Sequence, residues 1–280
     1  MAIALGLLVA LAYGSADFIG GLASRRLPTA VVLASTQSTG LVLVTIAAIV
    51  LDGEVHASDL LRGAGAGIAG IVGLALLYRG LARGLMSVVA PITAIGAGAA
   101  PLIWGLATGE RPSTLAWIGL FAALVAVALI SRPGGAGPAD LPPKELGLAM
   151  VAGAAFGAVF ILLGETSSSA GVLPVVASRS FTVPIAIAWA LTTAPRPLRT
   201  VRPRGRQIPF LALGGTLDAS ANIVFIAAAR HGLLSEVSVV SALYPGATVV
   251  LAWLVLGERV SRMQRAGLAL ALGGVALIAT

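Results

Sequence analysis

Gly84-Leu85-Met86-Ser87-Val88-Val89 opens a stretch, residues 84–130, that crosses a small-residue apolar run, reaches Gly109-Glu110-Arg111 and continues from Ser113 to Ile130. Residues 232–278 repeat the plan: Gly232-Leu233-Leu234-Ser235-Glu236-Val237, a similar run, Gly257-Glu258-Arg259, then Ser261 to Ile278. The offset is 148 residues without a gap, and about 20 of the 47 paired positions are identical. Low-complexity apolar sequence alone does not produce that many matches, so the chain carries an internal duplication. The rest of the chain is what precedes each copy.

Composition names the solvent. Of 280 residues, 58% are hydrophobic and 10% charged, against roughly 25% charged in a soluble domain. Mean hydropathy is +1.00. An aqueous fold has nowhere to hide this much apolar surface, so the chain is expected in a bilayer. Aromatics are scarce at 5% while glycine reaches 35 residues, which suits helices that approach backbone to backbone. With no cysteine, thiolate metal sites, disulfides and cysteine catalysis are excluded. The net charge of +7 sits in short loops, where it sets membrane orientation, and no nucleic-acid partner is expected. No basic residue precedes the first apolar run, and Arg25-Arg26 follow it. That reverses the order of a cleavable signal.

A span needs ~20 apolar residues to cross the hydrocarbon. Ten are predicted: about 2–22, 30–51, 60–81, 85–107, 113–131, 146–165, 171–193, 207–229, 234–256 and 261–279. Barrel strands are excluded, because the runs are twice too long and do not alternate. Each copy then holds five spans. Two homologous halves of odd span number must enter the membrane in opposite senses. The expected fold is therefore an all-α integral membrane protein of ten transmembrane helices, two inverted five-helix repeats around a central cavity. The halves are 1–136 and 137–280. Such architectures place a substrate site near the midplane and alternate access around it. The small-residue pairs Gly63/Gly67 and Gly153/Gly157 are expected at close helix contacts. The odd-numbered loops hold most of the arginines, so the charge rule puts them in the cytoplasm and both termini outside.

Ionisable groups at membrane depth are expensive and mark function by default. Tyr13 and Asp17 are four apart and share a helix face. Asp17 either lines the cavity, to meet a substrate ammonium or a proton, or pairs with Arg25 or Arg26 at the span's end. At the same offset of 148 its counterpart is Glu165, read as a helix-end anchor. Asp218 and Asn222 share a face near the middle of the eighth span. Arg179, deep in the seventh, either binds a substrate carboxylate bidentately or neutralises Asp17 or Asp218. Gln37, Ser38, Thr39 and Thr93 add neutral polarity, as do Ser238, Ser241 and Tyr244 before a Pro-Gly break. Pro91 and Pro101 are expected to interrupt the fourth span. Tyr78, Phe156, Phe160 and Trp189 are candidate aromatic walls. Glu110 and Glu258 fall at helix junctions, where each can accept amides at the following helix start. His56 and His231 lie far apart in loops, and no G-x-x-x-x-G-K-[ST] phosphate loop occurs. No enzyme activity, metal, cofactor or ATP motor is expected.

Tyr13-Gly14-Ser15-Ala16-Asp17-Phe18 resembles the aromatic-Gly-Ser opening of the first span in EamA-type members of the drug/metabolite transporter (DMT) superfamily. Leu85-Met86-Ser87-Val88-Val89-Ala90-Pro91 is similar to that family's fourth-span start. Gly257-Glu258-Arg259 with Gln264-Arg265-Ala266-Gly267 is similar to its junctions. The resemblance covers the whole chain as two EamA halves. It implies ten helices in inverted repeats, a central cavity and secondary export of small metabolites across a bacterial inner membrane. Within the family the chain looks most like YddG-type exporters of aromatic and other neutral amino acids. The resemblance also implies cytoplasmic termini with basic tails, and the uncharged ends and basic odd loops of this chain depart from that. The expected partners are an amino-acid-like solute, the bilayer and a proton as candidate coupling ion, with the protein a monomer. The alternatives are a passive channel or facilitator, and an exporter of drugs, sugars or other metabolites.

Overall fold

The computed structural model describes the backbone of residues 1–82, 86–131, 142–193 and 203–280, and the side chains of these residues other than 78–82 and 86–91. Eleven α-helices run through the described residues. They are α1 (Ala2–Ser24), α2 (Thr29–Val50), α3 (Ala57–Ala82), α4 (Met86–Ala107), α5 (Thr114–Ile130), α6 (Pro143–Gly164), α7 (Leu173–Thr193), α8 (Gln207–Ala229), α9 (Leu234–Ser241), α10 (Tyr244–Leu256) and α11 (Arg262–Ile278). They follow the apolar runs because a backbone in hydrocarbon must satisfy its own hydrogen bonds, and a helix does so within the segment.

The repeated Gly-Glu-Arg junctions act as local stop and start signals. Gly109 and Gly257 adopt positive φ, +103° and +68°. This is the left-handed region that glycine occupies without a steric penalty, and it ends a helix. Four residues on, Ser113 accepts from the Ala116 amide at 3.1 Å to start α5. Ser261 starts α11 with a full capping box: its hydroxyl accepts from Gln264 N at 3.2 Å, and Gln264 Oε1 accepts from Ser261 N at 3.0 Å.

The ninth predicted span is two helices. Pro245 has no N–H for the carbonyl of Ser241, and the chain tightens to three-residue bonds, Leu243 N to Val240 O at 3.1 Å and Gly246 N to Leu243 O at 2.8 Å. Pro101 is a correction to expectation: α4 runs through both Pro91 and Pro101 without a break. A proline forfeits one helical bond, and the turns on either side hold the rest.

Glycines set which helices meet. A Cβ on Gly63 or Gly67 would lie 2.1 Å from Pro174 O or 2.3 Å from Ser178 O, so α3 lies directly on the α7 backbone. Gly153 sits as closely on Gly96 of α4, and Gly157 on Ala100. Both small-residue pairs are thus contact surfaces. The other main contacts join α1 to α8, α3 to α6, α2 to α7 and α8, α9 and α10 to α1, α9 to α4, and α5 to α11. The outer surface is apolar, with Leu11 56%, Ile49 80% and Phe121 70% exposed. Seven segments are long and apolar enough to cross a membrane, α9 with α10 counting as one; Ile92–Ala107 and Thr114–Ile130 are shorter apolar helices. The chain is a multi-pass, all-α integral membrane protein.

Candidate functional site

A cavity lies in the middle of the bundle, with about 90 Å³ of space for water centres. At ~10–15 Å³ per water, that is room for several waters or a small solute. Its polar wall is Tyr13 and Asp17 of α1, Gln37 of α2, Ser178, Arg179 and Thr182 of α7, Asp218 and Asn222 of α8, and Tyr244 at the start of α10. Phe156, Val159 and Phe160 of α6, with small and aliphatic residues of α3 and α4, form the apolar side.

Arg179 is the electrostatic centre. It is 5% exposed and sits where α7 lies on α3. Nη2 bonds Asp218 Oδ2 at 2.7 Å, and Nη1 donates to Gln37 Oε1. Gln37 Nε2 reaches Asp218 Oδ2 at 3.5 Å, which closes the triangle. Nε is buried without a partner. Of the readings open in the sequence, the structure selects neutralisation of Asp218. Each Nη already has one partner, Nη1 in Gln37 and Nη2 in Asp218. A buried cation costs several kcal/mol unless paired and hydrogen-bonded, which explains why three helices contribute to this one group.

Asp17 lies on the same cavity with no hydrogen bond or ion pair to any described residue. The alternative partner Arg25 turns instead to Glu258, 3.9 Å away at the protein surface. The cavity thus holds one compensated pair and one uncompensated carboxylate. Tyr13 stands beside Phe160, ring centroids 6.1 Å apart, and Phe160 stacks on Phe225 at 4.6 Å. Asn222 Nδ2 donates to the Asp218 carbonyl at 2.8 Å, fixing it against its own helix.

Of the residues singled out in the sequence, Tyr13, Asp17, Phe156, Phe160, Arg179, Asp218, Asn222 and Tyr244 meet at the cavity. Ser238 and Ser241 do not line it; both are fully buried in α9. The Tyr78 side chain lies outside the described residues. Glu165 ends α6 and accepts from Trp104 Nε1 at 3.0 Å, an anchor far from Asp17. Gln37, Ser178 and Thr182 complete the polar wall, and their only signal in the sequence was polarity within an apolar run.

The end of the bundle where α1 begins is tied by polar contacts. Asp59 accepts from Ser167 N at 3.2 Å and Ser167 Oγ at 2.5 Å. Arg230 donates to the carbonyls of Ser167 and Gly171 at 3.0 and 3.1 Å. Glu110 accepts from Leu234 N at 2.7 Å and Ser235 N at 3.0 Å. It therefore caps α9, in the other half of the chain, and not α5, the helix that follows it. Beneath these contacts Val9, Leu163, Phe225, Val237 and Val240 are sealed from solvent.

Comparison with known proteins agrees with this architecture. Residues 143–280 match the model of the EamA-like transporter family. A stretch of 91 residues, 32% of this chain, is 40% identical to a probable terminal-alkyne amino-acid exporter of Streptantibioticus cattleyicolor, and spans 31% of that relative's length. A protein of known crystal structure shares the fold over 99% of this chain and 95% of its own, with a TM-score of 0.78 at 17% identity. Residues 143–280 thus carry the sequence pattern of the EamA-like transporter family, on an all-helical membrane bundle with a cavity in its middle.

Proposed function

We propose that the protein is a secondary transporter that exports small zwitterionic metabolites, amino acids foremost and aromatic or other neutral ones among them, by alternating access through the central cavity. The carrying observation is the cavity's charge arrangement. Arg179, Asp218 and Gln37 neutralise one another, and Asp17 remains as a free carboxylate beside an aromatic wall. A solute with one ammonium finds its partner in Asp17, its apolar side chain finds Tyr13, Phe156 and Phe160, and its carboxylate approaches the side of the triad where Arg179 lines the cavity. Asn222 and Tyr244 complete the polar contacts. A polyanion would meet two carboxylates and one committed arginine. The 40% identical relative, named as an amino-acid exporter, supports the same class. Asp17 is also the group through which a proton would couple, since no described residue holds its charge in place.

Ten membrane crossings in two inverted halves, 1–136 and 137–280, are part of this proposal. The packing supports it. Exchanging the halves turns the α1–α8 contact into α6–α3, α3–α7 into α8–α2, and α4–α6 into α9–α1, and all of these contacts occur. At single-residue level, a Cβ on Gly119 would lie 2.7 Å from Ile278 Cγ1, and one on the equivalent Gly267 would lie 2.9 Å from Ile130 Cγ1. The test is counterflow in proteoliposomes loaded with an unlabelled neutral amino acid, with labelled tracer outside. Transient accumulation of tracer is expected. Equilibration without overshoot would mean a channel, and no uptake of any amino acid by folded protein would overturn the substrate class.

A further inference from the structure

Ser235, Ser238 and Ser241 are each 0% exposed, and their hydroxyls have no hydrogen-bond partner among the described residues. All three are on α9. A serine in a helix ordinarily returns its hydroxyl to a carbonyl one turn back, as Ser35, Ser180 and Thr182 do here. Three consecutive exceptions on one eight-residue helix call for a reason, because a buried polar group without a partner is costly and uncommon.

Neighbouring contacts show where the serines face. Leu234 packs on Gly164 at the end of α6, Val237 and Val240 on Gly6 of α1, and Val239 and Ala242 on Gly98 of α4. At 100° per residue, Ser241, Ser238 and Ser235 fill a 120° arc that covers the α6 direction and reaches the α4 side. Just beyond this arc, Tyr244 lines the cavity. At the other end, Leu234 N and Ser235 N are held by Glu110. The stripe therefore runs from the cavity to the polar contacts that tie the end of the bundle where α1 begins. It is broken from α10 at Ala242–Leu243, a ready hinge.

We propose that α9 is the moving gate of this end, that Glu110 is its latch, and that Ser235, Ser238 and Ser241 line the translocation path once the latch opens. This rests on the alternating-access reading above. In the present state the stripe is sealed from solvent and its hydroxyls have no partner among the described residues. When Glu110 lets go and α9 tilts about its hinge, the same hydroxyls face water and the passing solute. The two features explain each other. A charge-assisted carboxylate cap on two amides holds the helix in, and three unsatisfied hydroxyls favour its release.

The chain has no native cysteine, so single-cysteine variants can be labelled directly. Ser238→Cys and Ser241→Cys, in proteoliposomes, would be exposed to a trimethylammonium methanethiosulfonate, with Leu74→Cys, a partly exposed position in the cavity wall, as a positive control. Slow labelling is expected in the parent, and labelling at least about tenfold faster when Glu110→Gln is added, as weakened charge-assisted bonds require. Glu110→Asp, whose shorter side chain cannot reach both amides, should act in the same direction and serves where Glu110→Gln does not fold. If both serine positions stay unlabelled in every background while Leu74→Cys reacts, α9 is static core and the proposal fails. The labelling ratio is read without any solute. A failure of amino-acid counterflow would therefore strike the substrate class and leave the gate to be judged on its own.

Discussion

At the scale of single residues, Asp17 and Arg179 make opposite predictions. Asp17 has no partner among the described residues, so Asp17→Asn should fold as the parent does, with an unchanged melting temperature. It should also weaken solute affinity by about tenfold to a hundredfold, the worth of one hydrogen bond to a charged group, ~1.5–3 kcal/mol. Counterflow at graded solute concentration measures this, and parental affinity would remove Asp17 from the site. Arg179→Gln should instead destabilise the fold by about 3 kcal/mol, the low end for a broken buried pair, because the Asp218 side chain is still 25% exposed. Adding Asp218→Asn should recover most of that loss in a thermal melt and leave transport impaired. A double variant no more stable than Arg179→Gln would argue against the triad. Both acids were legible in the sequence as charges inside apolar runs. Arg179's choice between them was not, because it depends on how α1, α7 and α8 are rotated about their own axes.

Elements are held by backbone contact as much as by side chains. Gly67 lies against the Ser178 carbonyl, directly before Arg179, so the α3–α7 contact also sets the height of the guanidinium in the cavity. Gly67→Ala would bring a Cβ to 2.3 Å from that oxygen. A backbone oxygen cannot swing away as a flexible side chain can. A loss of about 1–3 kcal/mol is expected, read as a lower melting temperature in detergent, together with weaker solute binding. Gly147, whose added Cβ meets nothing within 4 Å, is the control, and Gly147→Ala should be silent. The sequence displayed the Gly63/Gly67 spacing and its purpose. It did not say that the facing surface belongs to α7, where Gly63 meets Pro174 and Gly67 meets Ser178. The helix junctions were legible almost to the residue: a left-handed glycine stops one helix and a serine four positions later caps the next, all within one turn of chain.

For the whole molecule the open prediction is orientation. Ala2 and Gly232 are in contact, so the start of α1 and the start of α9 share one face of the membrane, and Val260 between α10 and α11 lies on the other. Arg25, which pairs with Glu258, belongs with Val260, as do Arg259, Arg262 and Arg265, and the charge rule places that face in the cytoplasm. His231→Cys, exposed beside Gly232, should therefore react with an impermeant maleimide on intact cells, and Val260→Cys should react only after permeabilisation. The reverse result would show the chain following the family's habit of cytoplasmic termini and not its own loop charges.

The sequence by itself determined the solvent and the helical runs, and it carries the repeat and the family resemblance. Each of these is written in composition, in period, or in contacts between residues a few positions apart. It also named eight residues that the cavity gathers, because a charge or a ring inside an apolar span has few other uses. Only the tertiary structure decided their partners: Arg179 with Asp218 and Gln37, Asp17 with none among the described residues, Glu110 with a helix 124 residues downstream, and the serines of α9 in the buried interior and not on the cavity wall. Helix rotation is fixed by packing against neighbours that are distant in the chain, and a few tens of degrees are enough to move a side chain from the cavity to the core.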